Sequence, residues 1–275
     1  MPQESEERDA PHEDETHEHL AALHSLRTEL LRLEELLCRG RHPVSGSAAK
    51  LAGTANQALP AWLRVTNGEQ RWAVTGAIAL AVVLQLVLPD RLAFHPHWLL
   101  PCLEVALVAV LIALNPVRIS REHPWLRPLS IALIAVISLA NGWSAVLLVN
   151  NLLTARAGED PGPLLGSGGA IWLTNVIAFA LWYWECDRGG PVARALAKRP
   201  KPDFRFPQME DPAEHPDWEP HFLDYFYLSF TNATAFSPTD VMPMSRWAKV
   251  LMLCQSAVSL VTLAVVISRA VSLFK

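Results

Sequence analysis

Apolar residues fall in long blocks along this chain instead of recurring at strand or amphipathic-helix intervals. Stretches such as AIALAVVLQLVL and LEVALVAVLIAL have no polar face, whereas a helix lying on a soluble core carries one. A hydrocarbon layer of about 30 Å needs roughly 20 such residues in a helix. Five windows qualify: 72–88, 98–117, 129–153, 169–184 and 247–274. The pattern predicts an all-α, polytopic membrane protein with about five transmembrane helices. One further segment, 221–236, is aromatic along its length (Phe222, Tyr225, Phe226, Tyr227, Phe230, Phe236) but too short to span. It ends in Ser237-Pro238-Thr239-Asp240, a turn signal. Met242-Pro243 follows, and Ser245 is placed to cap the last helix. A half-span helix, a turn and a full span make a re-entrant helix and loop, which membranes tolerate only where buried in protein or lining a wet cavity.

The polar segments divide the rest. Residues 1–18 (MPQESEERDAPHEDETHE) are acidic and lack aromatics, the composition of a disordered tail. Leu23, Leu26, Leu30, Leu33 and Leu37 then recur at spacings of three and four. This short heptad seam suits either self-association or one amphipathic helix. Together these form a region 1–45. A small-residue linker, 46–71, precedes a three-helix membrane region, 72–153. Trp182, Tyr183 and Trp184 at the end of the fourth window are expected to form an interfacial aromatic belt. The polar, Pro-rich connection after them, 185–220, is long enough to need a function or an anchorage.

Charge adds an orientation. Lys50, Arg64 and Arg71 precede the first window; Arg118, Arg121 and Arg127 lie between the second and third. Arg188, Arg194, Lys198, Arg199, Lys201 and Arg205 follow the fourth, while the opposite loops carry Arg91 and Arg156. The positive-inside rule places the N-terminus and the 185–220 connection in the cytoplasm, and five crossings leave the C-terminus outside. No cleavable secretory signal is expected, so the first span acts as the insertion signal. The net charge of −4 comes largely from the acidic tail and says little about partners. Cys38, Cys102, Cys186 and Cys254 are scattered, without a CxxC pair, and support neither a disulfide framework nor a zinc site. His12, His17, His19 and His24 among carboxylates read as a solvated acidic run.

The last third resembles the pore module of the tetrameric potassium-channel superfamily, in which an aromatic pore helix of the type YFSF leads into T-x-x-T-T-V-G-Y-G-D. Tyr227-Leu228-Ser229-Phe230 match the end of that helix and Thr231 its first threonine. Thr234-Ala235 stand at the adjacent threonines and Asp240 at the aspartate, while Pro243 and Ser245 match the proline and hydroxyl residue that precede the inner helix. RWAKVLMLCQSAVSLVTLAVVISRAV reads as the inner helix. The resemblance covers 169–275: outer helix 169–184, connection 185–220, re-entrant helix and loop 221–243, inner helix 245–274. With five spans and a W-D-x-L-Y-x-S-F-like segment before the module, the whole chain also resembles an uncharacterised family of bacterial integral membrane proteins. Where the channels have V-G-Y-G, this chain has Phe236, Ser237, Pro238 and Thr239. Pro238 fixes its own φ and pushes Ser237 toward extended geometry, whereas potassium filters stack rings of backbone carbonyls through glycine-permitted conformations. Potassium selectivity therefore does not carry over. The loop charges also bring this loop in from the cytoplasm, opposite to ordinary potassium channels.

What the resemblance implies is an ion-channel-like protein, multi-pass in a bacterial inner membrane and homotetrameric. It would have a weakly selective cation pore or, alternatively, keep the pore fold as a non-conducting scaffold. The expected pore and filter residues are Thr231, Thr234, Ala235, Phe236, Ser237, Pro238, Thr239 and Asp240. Gln255, Ser259 and Thr262 share one face of the last helix with Arg269, and either line a wet path or pack within the bundle. Asp240 forms an acidic ring or caps its turn. Glu104, an acid inside the second window, is a functional candidate by position. Asn141, Asn150, Asn151 and Asn175 read as interhelical hydrogen-bonding residues. The expected partners are membrane lipid, further copies of the chain and monovalent cations. No nucleic acid, cofactor or metal is expected, and no catalytic constellation or nucleotide-binding loop appears, so no enzyme activity is expected either.

Overall fold

The computed structural model describes residues 25, 28, 29, 32, 59–96, 98–114, 125–154, 161–234 and 240–273. The acidic tail, the leucine seam, Lys50 and the first half of the 46–71 linker lie outside them. So do Arg118, Arg121, Arg156 and the filter positions Ala235, Phe236, Ser237, Pro238 and Thr239. The chain divides into two units. In the smaller, the 3₁₀ turn Ala61–Leu63 is tied to 212–219: Ala61 N–H donates to Pro216 O at 3.2 Å, and Arg64 meets Asp217 at 3.5 Å.

The larger unit, 66–211 with 220–275, is helical apart from one pair of two-residue strands. Its helices are α1 (Trp72–Val87), α2 (Leu99–Leu114), α3 (Leu126–Leu153), α4 (Pro161–Cys186), α5 (Pro191–Ala195), α6 (Phe222–Thr234) and α7 (Arg246–Leu273). Proline sets several boundaries: α1 stops before Pro89, and Pro101, Pro128 and Pro163 stand in first turns, where a missing N–H breaks no helical bond. The stretch after α4 stops the helix by conformation. Arg188, Gly189 and Gly190 have φ of 51°, 87° and 100° before Pro191 opens α5. A Cβ on Gly190 would lie 3.0 Å from Glu185 O, so that position requires glycine.

Three helices are long and apolar enough to cross a membrane: Leu126–Leu153, Gly162–Gly189 and Arg246–Ser272. α1 and α2 have 16 residues each, about 24 Å at 1.5 Å per residue, short of a full hydrocarbon layer. The expectation of about five full spans is met at full length by three, because Pro89 ends α1 and the described part of α2 stops at Leu114.

α4 is the hub, packing against α1, α3, α6 and α7. The share of its apolar window that is buried is 61%, against 22% for α7, which fixes α4 as the central helix and α7 as a peripheral one. Large apolar side chains such as Leu139, Leu153 and Leu253 stay exposed on the outer faces, as helices bathed in lipid allow. α1 runs antiparallel to α2, and α3 to α4. Arg71 before α1 donates to Leu111 O near the end of α2 at 2.6 Å, and burial holds its pKa below the ordinary value. Ser130 at the start of α3 donates to Glu185 at the end of α4 at 2.7 Å. At the opposite end Leu92, Leu148, Leu152, Leu164 and Val266 form an apolar cluster.

The 185–220 connection is anchored, not slack. Its strand β1 (Phe204–Arg205) pairs antiparallel with β2 (Met242–Pro243), Phe204 opposite Pro243. The expected aromatic belt is corrected in the same region. Tyr183 and Trp184 are 0% and 3% exposed, because their polar tips find partners inside the protein; Trp182 donates to Ser138 at 2.9 Å.

Candidate functional site

The sequence of α6 contains its own start signal. Asp224 accepts the N–H of His221 at 2.7 Å, the return half of a capping box. Glu69 accepts the N–H of Phe222 at 2.6 Å and the indole N–H of Trp184 at 2.7 Å. Two carboxylates at the N-terminus of α6 also suit its dipole. Thus α6 begins beside the end of α4.

The chain returns to that same end. Asp187, 0% exposed, accepts N–H bonds from Asp203 (2.9 Å) and Phe204 (3.3 Å) and the hydroxyl of Tyr225 (2.6 Å). Asp203 accepts the N–H of Arg188 (3.0 Å) and the indole N–H of Trp247 (2.9 Å), and its carbonyl receives the N–H of Met244 (2.8 Å). Phe204 lies among Tyr183, Tyr225 and Trp247, with ring centroids 5.0–6.4 Å apart. Arg194 lies over Trp184 and Tyr225 at 5.8 and 5.0 Å and donates to Trp184 O and Asp187 O. Entry at His221 and exit at Met242–Trp247 are therefore clamped at one end of the bundle, with α6 between α4 and α7.

Deeper in, α6 is held by a polar cluster about two and a half turns into α7. Gln255 Nε2 donates to Ser229 O (2.8 Å) and Oγ (2.6 Å), and its Oε1 accepts from Tyr183 OH (2.6 Å) and Asn232 Nδ2 (2.9 Å). Ser229 Oγ donates to Val176 O at 2.6 Å, and Asn232 Nδ2 also reaches Met252 O at 3.0 Å. One turn further along α7, Asn175 Nδ2 donates to Ser259 Oγ at 3.1 Å.

These contacts decide between the two readings of the α7 stripe. Gln255, Ser259 and Thr262 are 0%, 0% and 3% exposed. Gln255 faces α4 and α6 and Ser259 faces α4, and with the buried Thr262 they are closed off within the chain; the pore-lining expectation for them is corrected. On α6, Thr231 donates to Tyr227 O and Leu228 O, and Thr234 to Phe230 O and Thr231 O. Their protons serve their own helix, and Thr234 is exposed. Leu223, Tyr227, Phe230 and Thr234 form the exposed face of α6, and Asp240 after the loop is exposed as well. Glu104 belongs elsewhere: it is buried between α1 and α2, where Gln85 Nε2 donates to its Oε1 at 3.1 Å.

Asp187, Asp203, Tyr225, Glu69, Tyr183 and Asn232 hold this arrangement, and sequence reasoning did not single them out for it. The length of the 185–220 connection and its Asp-Arg-Gly-Gly-Pro run were the available signals. No protein family, no curated protein and no solved structure matches the chain.

Proposed function

We propose that the chain is one protomer of a homotetrameric, ion-channel-like pore, multi-pass in a bacterial inner membrane and weakly selective for monovalent cations. The observation that carries this reading is α6: a 13-residue helix between α4 and α7 whose flanking segments are both clamped at the same end of the bundle. In this reading α4 is the outer helix, α6 the pore helix and α7 the inner helix. Because Gln255, Ser259 and Thr262 are closed within the protomer, the polar lining falls to the loop: Thr231, Thr234, Ala235–Thr239 and Asp240. The walls of α7 below it are apolar, with Leu253, Leu260 and Val261 exposed. Hydroxyls and a ring of Asp240 carboxylates give a wider filter than glycine-shaped carbonyl rings, so potassium and sodium are poorly distinguished.

Purified protein in liposomes tests the reading. Cation flux is expected, with little discrimination between potassium and sodium, and Asp240→Asn lowers it while assembly in detergent is unchanged. Flux insensitive to that substitution would remove the pore assignment. A complete absence of flux would leave the second reading, a non-conducting scaffold that retains the fold. The specific observation favouring that reading is the sealed Gln255–Ser259–Thr262 stripe, which leaves no polar wall along α7.

A further inference from the structure

Remote from α6, the first three helices bury an acid. Glu104 is 0% exposed, in the second turn of α2. Its Oε1 accepts from Gln85 of α1 at 3.1 Å, and its Oε2 is buried without a hydrogen-bond partner among the described residues. A carboxylate removed from water persists only with a partner of opposite charge or a full set of donors. Neither is present among the described residues. α1 carries no titratable side chain, α2 adds only Cys102, which is exposed, and α3 carries only Arg127, at the opposite end of the bundle. Asp90, Arg91 and His95 in the connection between α1 and α2 are exposed. What α3 offers instead is neutral: Asn141 and Ser144, each 4% exposed. A small cavity lies beside Gln85, lined also by Leu88, Phe94, Pro101, Ala140 and Ser144, and Glu104 stands one hydrogen bond behind it, on the Gln85 amide. Its Leu88 and Phe94 walls belong to the connection, so it lies toward the end of the bundle away from the basic residues.

We propose that Glu104 and Gln85 form a proton-binding site, served by this cavity from the end of the bundle opposite the basic one. The ligand is a proton. Bound, it makes Glu104 a neutral carboxylic acid, which removes the unmet charge. On release, the O–H bond of the carboxyl breaks, the proton passes to cavity water, and the Gln85 amide steadies the carboxylate through its bond to Oε1. Gln85 is thus a positioning residue, and the site stands whether or not the chain conducts.

Infrared difference spectroscopy of the purified protein across a pH series tests this. A carbonyl band of a protonated carboxylic acid should vanish on alkalinisation, shift in D₂O and be absent from Glu104→Gln. In Gln85→Leu the same band should persist to higher pH, because the donor that favours the charged form is gone. Thermal stability of Glu104→Gln should match the parent, since glutamine imitates the neutral acid in shape and charge. If Glu104→Gln retains the band, or Gln85→Leu leaves its midpoint unmoved, the proposal is overturned. It is equally overturned if no band appears and sodium or potassium, but not choline, stabilises the parent and not Glu104→Gln. That result would place a bound metal cation where we place the proton.

Discussion

Gln255 shows what one polar residue does when the bundle closes around it. Its amide satisfies Ser229 with one end and Tyr183 and Asn232 with the other. Removing it strands several buried groups at once, each worth roughly 1–3 kcal/mol when left without a partner. Gln255→Leu is expected to lower the thermal stability of the detergent-solubilised protein by more than Ser259→Ala, which breaks a single bond to Asn175 at a cost of about 1 kcal/mol. Equal, small losses would mean that water already reaches both positions. The spacing of Gln255, Ser259 and Thr262 puts them on one face in the sequence. It cannot say whether that face meets water or protein, since helical periodicity carries no information about what lies opposite.

At the scale of elements, the contact between α4 and α7 depends on a missing side chain. A Cβ on Gly168 would sit 2.8 Å from Val266 Cγ2, and a β-branched valine has little rotamer freedom in a helix with which to yield. Gly168→Ala should therefore destabilise the pair by about 1–3 kcal/mol, as overpacking does. Val266→Ala in the same chain should return most of that loss; thermal unfolding of the two single variants and the double variant measures the coupling. The helix ends were legible, because Pro89 and the Gly189-Gly190-Pro191 run act locally. The close approach was not. Gly168 stands in the run Gly166-Ser167-Gly168-Gly169, and only docking against α7 distinguishes one small residue from its neighbours.

Across the whole larger unit, antiparallel packing collects Arg71, Arg127, Arg188, Arg194, Lys198, Arg199, Lys201, Arg205, Arg246 and Lys249 at the end where α4 stops. The loop-charge asymmetry thus becomes a basic end, and the orientation it implies can be measured. A single cysteine at the exposed Lys198, in a background lacking the native cysteines, is expected to resist membrane-impermeant thiol reagents in intact cells and to react after permeabilisation. Ready labelling in intact cells would invert the topology and bring the loop in from outside, as in ordinary potassium channels.

The blocks of apolar residues determine on their own that 129–153 and 247–274 belong to helices of membrane length and that 221–236 is too short to cross. The window 169–184 shows only part of α4, which the structure begins at Pro161. Hydrogen-bonding within each segment and turn chemistry at its ends are local, so local sequence is sufficient. The partners that clamp the short helix are not local. Asp187 meets Tyr225, Glu69 meets Phe222, and Asp203 meets Trp247 across separations of 38 to 153 residues. No periodicity records such meetings. The same holds for Tyr183, whose place at the end of an apolar window predicts an interfacial ring, and whose hydroxyl instead finds Gln255 in the interior. The sequence alone determined which segments leave water; the tertiary structure decided which polar groups went with them, because a buried hydrogen bond is defined by its partner and the partner is supplied only by packing.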